Sequence, residues 1–155
     1  MDYPNRLEEL VQAYENTLLR TALAILRDKA SAEDAVYETF LRYLEKRPRL
    51  ADANHEKAWL LRVTINSCRS CLRARRRHPT TELSEGWYDT YPGTNEEVEV
   101  WDAVSALSPK ERAAVHLFYY EGYSAEEIAS LTGQRPGTVR AQLSRARSRL
   151  KTWLS

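Results

Sequence analysis

Residues 124–151, SAEEIASLTGQRPGTVRAQLSRARSRLK, admit few folds. Ser124 stands three residues before Glu127, the spacing at which a serine oxygen accepts from a first-turn amide while the carboxylate reaches back to the cap amide. This predicts a short helix over 125–131. Gly133 supplies the positive φ of a tight turn. Pro136 suits the first position of a second helix, predicted over 136–153. Helix, glycine turn and longer helix together read as a helix-turn-helix.

The second helix has two unlike faces. At about 100° per residue, with Arg140 at the origin, Val139, Leu143, Ala146, Leu150 and Trp153 form one apolar stripe. Ile128, Ala129 and Leu131 of the first helix are expected to pack against Val139 and Leu143. The opposite face is a ridge of small residues, Ala141, Ser144 and Ser148, bordered by Arg140, Arg147 and Lys151 on one side and Arg145 and Arg149 on the other. After Glu127 the chain carries six basic residues and no acidic one. A slim ridge between cationic borders can enter the major groove, its arginines reaching phosphates and guanine edges. A basic solvated helix without a ligand is the plainer alternative. Turn, ridge and borders agree on nucleic acid.

The remaining signals are also helical, and the predicted fold class is all-α. Helices are expected over 4–27, 32–46, 55–77, 97–106 and 109–121, with no convincing strand. Ser31 to Asp34 and Ser108 to Glu111 repeat the serine-to-carboxylate capping spacing, and Pro109 strengthens the second.

Charge divides the chain further. The formal net charge of +1 predicts no partner, but residues 1–78 carry 15 basic and 11 acidic residues, residues 79–99 carry no basic and six acidic, and residues 100–155 carry eight and five. The stretch HPTTELSEGWYDTYPGTNEEVE has linker composition. Two small helical domains, 1–78 and 98–155, are therefore expected around an acidic linker at 79–97. Trp87, Tyr88 and Tyr91 are unusual in a passive tether. No run approaches the about 18 to 20 apolar residues of a membrane span, and the N-terminus lacks a leader pattern, so a cytosolic protein is expected, with no further domain after Ser155.

The segment HEKAWLLRVTINSCRSCLRARRRHP contains a second cationic face. Arg62, Asn66, Arg69, Arg73 and Arg76 lie within about 80° of one another, opposite a core stripe of Leu61, Ile65, Cys68 and Leu72. Such a face suits backbone phosphate, and Trp59 stands at its edge, where either an unstacked base or the domain core can receive it. The core is the better reading for Trp59. On SAEDAVYETFLRYLEKRP, Val36, Phe40, Tyr43 and Leu44 make the buried stripe. Asp34, Tyr37, Glu38, Leu41 and Glu45 remain on an acidic outer face with an apolar centre, better suited to a protein than to DNA.

Cys68 and Cys71 are three apart in an arginine-rich helix. A zinc site completed by His55 or His78 is one reading, and small buried residues in a reducing compartment the better one. Neither a metal nor another cofactor is expected. No nucleophile, base and orienting group fall together by helical spacing, so no catalysis is expected. A helix-turn-helix regulator that binds duplex DNA without polymerase is a further alternative.

Together these residues resemble the extracytoplasmic-function (ECF) sigma factors, small promoter-recognition subunits of bacterial RNA polymerase. ASAEDAVYETFLRYLEK resembles the family's core-binding segment of the form AED-x-x-Q-E-x-F. KAWLLRVTINSCRSCLRARRR resembles the segment that engages the minus-ten element. ALSPKERAAVHLFYYEGYSAEEIASLTGQRPGTVRAQLSRARSRLK resembles the minus-35 reader, with its L-x-x-x-x-R, EIA, GTV and SRAR-x-x-L landmarks. The resemblance implies core polymerase binding through Asp34, Tyr37 and Glu38, and minus-ten recognition through Arg62, Asn66, Arg69, Arg73 and Arg76. It implies minus-35 recognition through Arg135, Thr138, Arg140, Ala141, Ser144, Arg145 and Arg147. It also implies strand opening, an anti-sigma protein covering the same surfaces, and a linker whose acidic charge mimics nucleic acid inside the polymerase. The chain departs from the pattern at Tyr37, where the family usually carries Gln, at Arg135, where a small cap is common, and at Gln142, whose amide offers a bond to adenine or a backbone oxygen where a basic residue is frequent.

Overall fold

Three long helices build the first of two compact units in the computed structural model, which describes residues 2–77 and 102–154. The first, α1, runs Tyr3–Leu26 and starts on the Asp2 carboxylate, which accepts from the Asn5 amide. It stops at Arg27, whose φ of 59° is left-handed. The second, α2, runs Lys29–Lys46 and stops the same way at Arg47, with φ 45°. The third, α3, runs Ala53–Arg77. The expected helix starts at 32 and 55 are both corrected by an upstream aspartate. The Asp28 carboxylate accepts from the Ser31 amide, so Ser31 lies inside α2 instead of capping it. The Asp52 carboxylate accepts from the His55 amide at 2.8 Å. A carboxylate is a strong acceptor for first-turn amides and carries the charge that suits the positive helix end.

Leu10, Leu18, Ala22 and Ile25 of α1, Val36, Phe40 and Tyr43 of α2, and Leu60, Leu61, Ile65 and Cys68 of α3 are buried together, while Leu44 and Leu72 at the stripe edges are half-buried. Polar ties fix how the helices sit. The Thr39 and Thr64 hydroxyls meet at 2.7 Å in the buried seam between α2 and α3. Arg6 of α1 reaches the largely buried Glu56 of α3 at 2.5 Å. Arg75, near the end of α3, donates to the Leu26 carbonyl at 3.0 Å and to the Ser31 hydroxyl at 3.2 Å. It thereby satisfies one of the carbonyls that the end of α1 leaves open.

The second unit contains a helical turn at 102–105, then α4 Pro109–Val115, α5 Ala125–Thr132 and α6 Pro136–Leu154. Half of the helix expected over 97–106 lies outside the described residues, as do the linker aromatics Trp87, Tyr88 and Tyr91. No strand occurs among the described residues, and the chain is an all-α protein of two helical units. Both serine capping boxes form. Ser108 accepts from the Glu111 amide at 3.2 Å and its own amide donates to Glu111 at 3.0 Å; for Ser124 and Glu127 the distances are 3.1 and 2.9 Å. Gly133 has φ 67° and closes α5. Leu107, Ala114, Leu117, Ile128, Ala129, Leu131, Val139, Leu143 and Ala146 are buried.

The expected single helix over 109–121 is corrected. After Val115 the chain widens into a π-helical turn, His116–Tyr120, in which the Glu121 amide donates five residues back to the His116 carbonyl at 3.1 Å. The His116 ring stacks on Tyr120 at 5.2 Å and its Nε2 lies 3.1 Å from the Glu121 carboxylate. Gly122, with φ 79°, then turns the chain toward α5. The His116–Glu121 side-chain pair spans the same five residues as the widened backbone bond, a spacing that apolar periodicity does not register.

Replacing Ser124 with alanine is expected to cost about 1 kcal/mol, the ordinary worth of an N-cap. Hydrogen-exchange mass spectrometry of the full chain should show faster exchange over residues 125–143, and protection equal to that of the parent chain would show that the cap contributes nothing.

Candidate nucleic-acid interface

Burial divides α6 into the two faces expected of it. Val139, Leu143 and Ala146 point into the unit, and Leu150 is half-buried; the Trp153 side chain lies outside the described residues. Ala141, Ser144 and Ser148 are exposed, as are Arg140, Arg145, Arg147, Arg149 and Lys151. Arg135 and Thr138 are exposed at the start of the helix. Arg135 starts α6 through its backbone, its carbonyl accepting from the Val139 amide at 3.1 Å.

Gln142 is corrected. It is buried, and its Nε2 donates to Gln134 Oε1 at 2.7 Å while Gln134 Nε2 donates back at 3.3 Å and to the Thr132 hydroxyl at 2.9 Å. Its amide braces the turn between α5 and α6 instead of facing a base. The helical period carries the signal, since Gln142 falls at about 200°, on the border of the apolar stripe.

Carboxylates of α4 and α5 hold several of the arginines. Arg140 reaches Glu126 at 2.7 Å, both side chains being well exposed. Arg149 reaches Glu111 at 2.7 Å, and Arg145 stands 3.8 Å from the other oxygen of the same carboxylate, too far for a hydrogen bond. Glu111 is 3% exposed, so one buried charge both caps α4 and draws α6 onto it. Arg112 is buried beside it and donates to the Leu107 carbonyl at 2.5 Å. Leucine and arginine at this five-residue spacing thus close the loop that leads into α4. Glu126 has its carboxyl held below the usual range, first by its own backbone amide and then by Arg140. The spacing of the α6 arginines by itself points to none of these carboxylates.

In the first unit, Arg62, Asn66, Arg73 and Arg76 are exposed along one side of α3, and Arg69 is half-buried among them. Burial, then the neighbouring Arg73 charge, lowers the Arg69 guanidinium from its ordinary value. Mutual repulsion along this face is relieved by an anion, which is the condition for binding phosphate. Trp59 sits edge-on to Tyr43 at 6.1 Å, and Tyr43 in turn packs on Tyr3 at 5.5 Å. Trp59 therefore belongs to the aromatic end of the core.

On α2, Asp34, Tyr37, Glu38, Leu41 and Glu45 are all exposed, Tyr37 by 68%. Glu38 accepts from Arg42 at 3.3 Å and from the Ser67 hydroxyl of α3 at 3.0 Å. The result is a tyrosine and a leucine set among carboxylates on an open helix face.

Of the two zinc alternatives, only the one through His55 falls among the described residues. The His55 Nδ1 accepts from the Ala51 amide at 3.0 Å, Cys68 is buried and Cys71 half-buried, and His78 lies outside the described residues. Among those described, no cluster of three or more His, Cys, Asp or Glu is placed to hold a metal ion. Burial, then the Cys71 thiol, pushes Cys68 up to about 12 from 9.0. Between those values the unfolded chain has lost this proton and the folded chain keeps it, so stability falls as pH rises. The slope is at most about 1.4 kcal/mol per pH unit. Denaturant melts at pH 8 and 10 should show this loss in the parent chain and a smaller one in Cys68→Ala; equal losses would contradict it.

Residues 10–78 match the Sigma-70 region 2 family and residues 97–150 the Sigma-70, region 4 family. The chain is 33% identical to the RNA polymerase sigma-E factor of Streptomyces antibioticus over 93% of its own length and 82% of that protein's. It is 31% identical to the ECF RNA polymerase sigma factor SigE of Mycolicibacterium smegmatis, over 96% of its own length and 61% of that protein's. The chain spans 39% of the length of the probable RNA polymerase sigma factor RfaY of Xanthomonas campestris and 83% of that of the sigma-E factor of Streptomyces coelicolor. The fold is similar to that of the sigma factor RpoE from Bartonella quintana, solved in complex with the anti-sigma factor NepR, with a TM-score of 0.74 at 24% identity over 95% of each chain. A small-residue ridge between arginine borders, a second cationic helix face and two family matches in this order lead to one conclusion: the chain belongs to the RNA polymerase sigma factors of the ECF type.

Proposed function

We propose that this chain binds core RNA polymerase, directs it to promoters carrying particular minus-35 and minus-ten elements, and helps to open the DNA, with no catalysis of its own. The observation that carries the reading is the exposed face of α6, where Ala141, Ser144 and Ser148 form a ridge slim enough for the major groove and Arg140, Arg145 and Arg147 border it. Arg135 and Thr138 extend that face toward the turn. Arg62, Asn66, Arg69, Arg73 and Arg76 on α3 meet the minus-ten strand through phosphate and unpaired bases. Asp34, Tyr37 and Glu38 on α2 dock on the polymerase, whose contacting surface must be basic with an apolar pocket.

An anti-sigma protein that holds the chain inactive would cover these same surfaces; the similar Bartonella sigma factor was crystallised in complex with a protein of that kind. No helix among the described residues is long and apolar enough to cross a membrane, which suits a cytoplasmic place of action. The test is transcription by core polymerase on a fragmented genomic library with and without the chain. A defined set of new start sites is expected. An unchanged start-site pattern, or duplex binding by the chain alone at full affinity, would favour a polymerase-independent regulator instead.

A further inference from the structure

Glu126 is an acidic residue on the DNA-facing side of the helix-turn-helix, and its place there needs a reason. It occupies the second position of α5, where the first helix of such a motif crosses the phosphate backbone. A carboxylate at that point repels every DNA alike. Glu127 completes the capping box with Ser124, and Glu126 adds only a local bond to its own first-turn amide and to the Ser124 side chain. Its side chain is 65% exposed, so it serves no core. What it does hold is Arg140, at 2.7 Å and from fourteen residues away, across the turn.

The other carboxylate that faces α6 makes a useful contrast. Glu111 is buried, caps α4 and engages Arg149, so its contact with the α6 arginines follows from packing. Glu126 has no packing duty: it accepts from its own amide at the start of α5, and beyond that turn its partner is Arg140. Arg140, for its part, borders the small-residue ridge, where its guanidinium can fork onto a guanine edge or onto a phosphate. An unrestrained arginine takes whichever anion is nearest, and phosphates are present in every sequence. A carboxylate at 2.7 Å biases the guanidinium toward one side of the ridge and offsets its charge toward the backbone.

We propose that Glu126 is a positioning residue for minus-35 reading: it restrains Arg140 so that this arginine serves a base edge, lowering affinity for DNA in general and raising discrimination. The inference rests on the reading of α6 as the minus-35 reader.

The test uses holoenzyme assembled from core polymerase and the full chain, as parent, Glu126→Gln, Glu126→Ala, Arg140→Ala and the Glu126→Ala/Arg140→Ala double variant. The probes are a promoter recovered from the genomic transcription experiment and the same duplex with its minus-35 element scrambled, each measured over a range of salt. Glu126→Ala is expected to tighten binding to the scrambled duplex about three- to tenfold and to steepen its salt dependence by about 0.9 in log–log slope, as one more phosphate is neutralised. The ratio of promoter to scrambled affinity should fall about tenfold, within the worth of one bidentate base contact. Glu126→Gln keeps an acceptor for Arg140 without the charge; it should tighten both duplexes while retaining part of the ratio. In the Arg140→Ala background the change in ratio should vanish. An unchanged ratio in Glu126→Ala, a parallel loss on both duplexes, or an effect that persists without Arg140 would overturn the inference alone. A parent holoenzyme that does not distinguish the duplexes overturns the minus-35 reading, and the inference with it.

Discussion

Holoenzyme carrying Arg140→Ala and Arg145→Ala together is expected to lose about a hundredfold in promoter-directed transcription while its association with core polymerase stays within about twofold of the parent. The size follows from two arginines at the groove, each worth about 1 to 3 kcal/mol when it reads a base and less when it meets phosphate. The fold should survive the change. Arg140 loses only an exposed pair with Glu126, of a kind worth about 0 to 1 kcal/mol. Arg145 leaves behind a Glu111 carboxylate that still accepts from Arg149 and from the Ser108 amide. Transcription from a recovered promoter and co-purification with core are the two measurements. Equal loss in both would move these arginines from promoter reading to polymerase contact.

Reversing Asp34 and Glu38 to lysine should have the opposite pattern, weakening association with core polymerase by about ten- to a hundredfold. At the proposed polymerase contact each reversal would put like charge against like, and such juxtapositions cost several kcal/mol when desolvated and less at a rim. Glu38 also ties α2 to α3 through Ser67 and pairs with Arg42, so its reversal has a structural component. Asp34→Lys alone separates the two effects, because its exposed carboxylate takes no part in the α2–α3 tie. A melting temperature close to the parent's, with reduced co-purification, is the expected result for that single variant. Unchanged co-purification in the double variant would remove α2 from the polymerase contact.

These predictions draw on faces of helices, and faces are the most legible property of the chain. Val139, Leu143 and Ala146 on one side of α6 and Ala141, Ser144 and Ser148 on the other follow from a 3.6-residue period applied to residue type. Ser108 and Ser124 are recognisable as caps because both partners of a capping box lie within four residues. Gly133 announces its turn because only glycine enters the left-handed region without a steric cost. Arg27 and Arg47 enter the same region with that cost, and nothing local marks them. Asp28 is hidden as the cap of α2 because Ser31 matches the capping-box spacing within the same turn, although the aspartate is the stronger acceptor.

What the chain alone determined, then, is the set of helices, their buried stripes and the two cationic surfaces, because each depends on residues within one or two turns of one another. Tertiary structure decided which charges are committed. Glu111 and Arg149 lie 38 residues apart, Glu126 and Arg140 fourteen, and Gln134 braces Gln142 across a turn. No period links such residues; they meet only when α4, α5 and α6 are packed around a common core, and whether a charge is free to meet DNA is settled by those meetings.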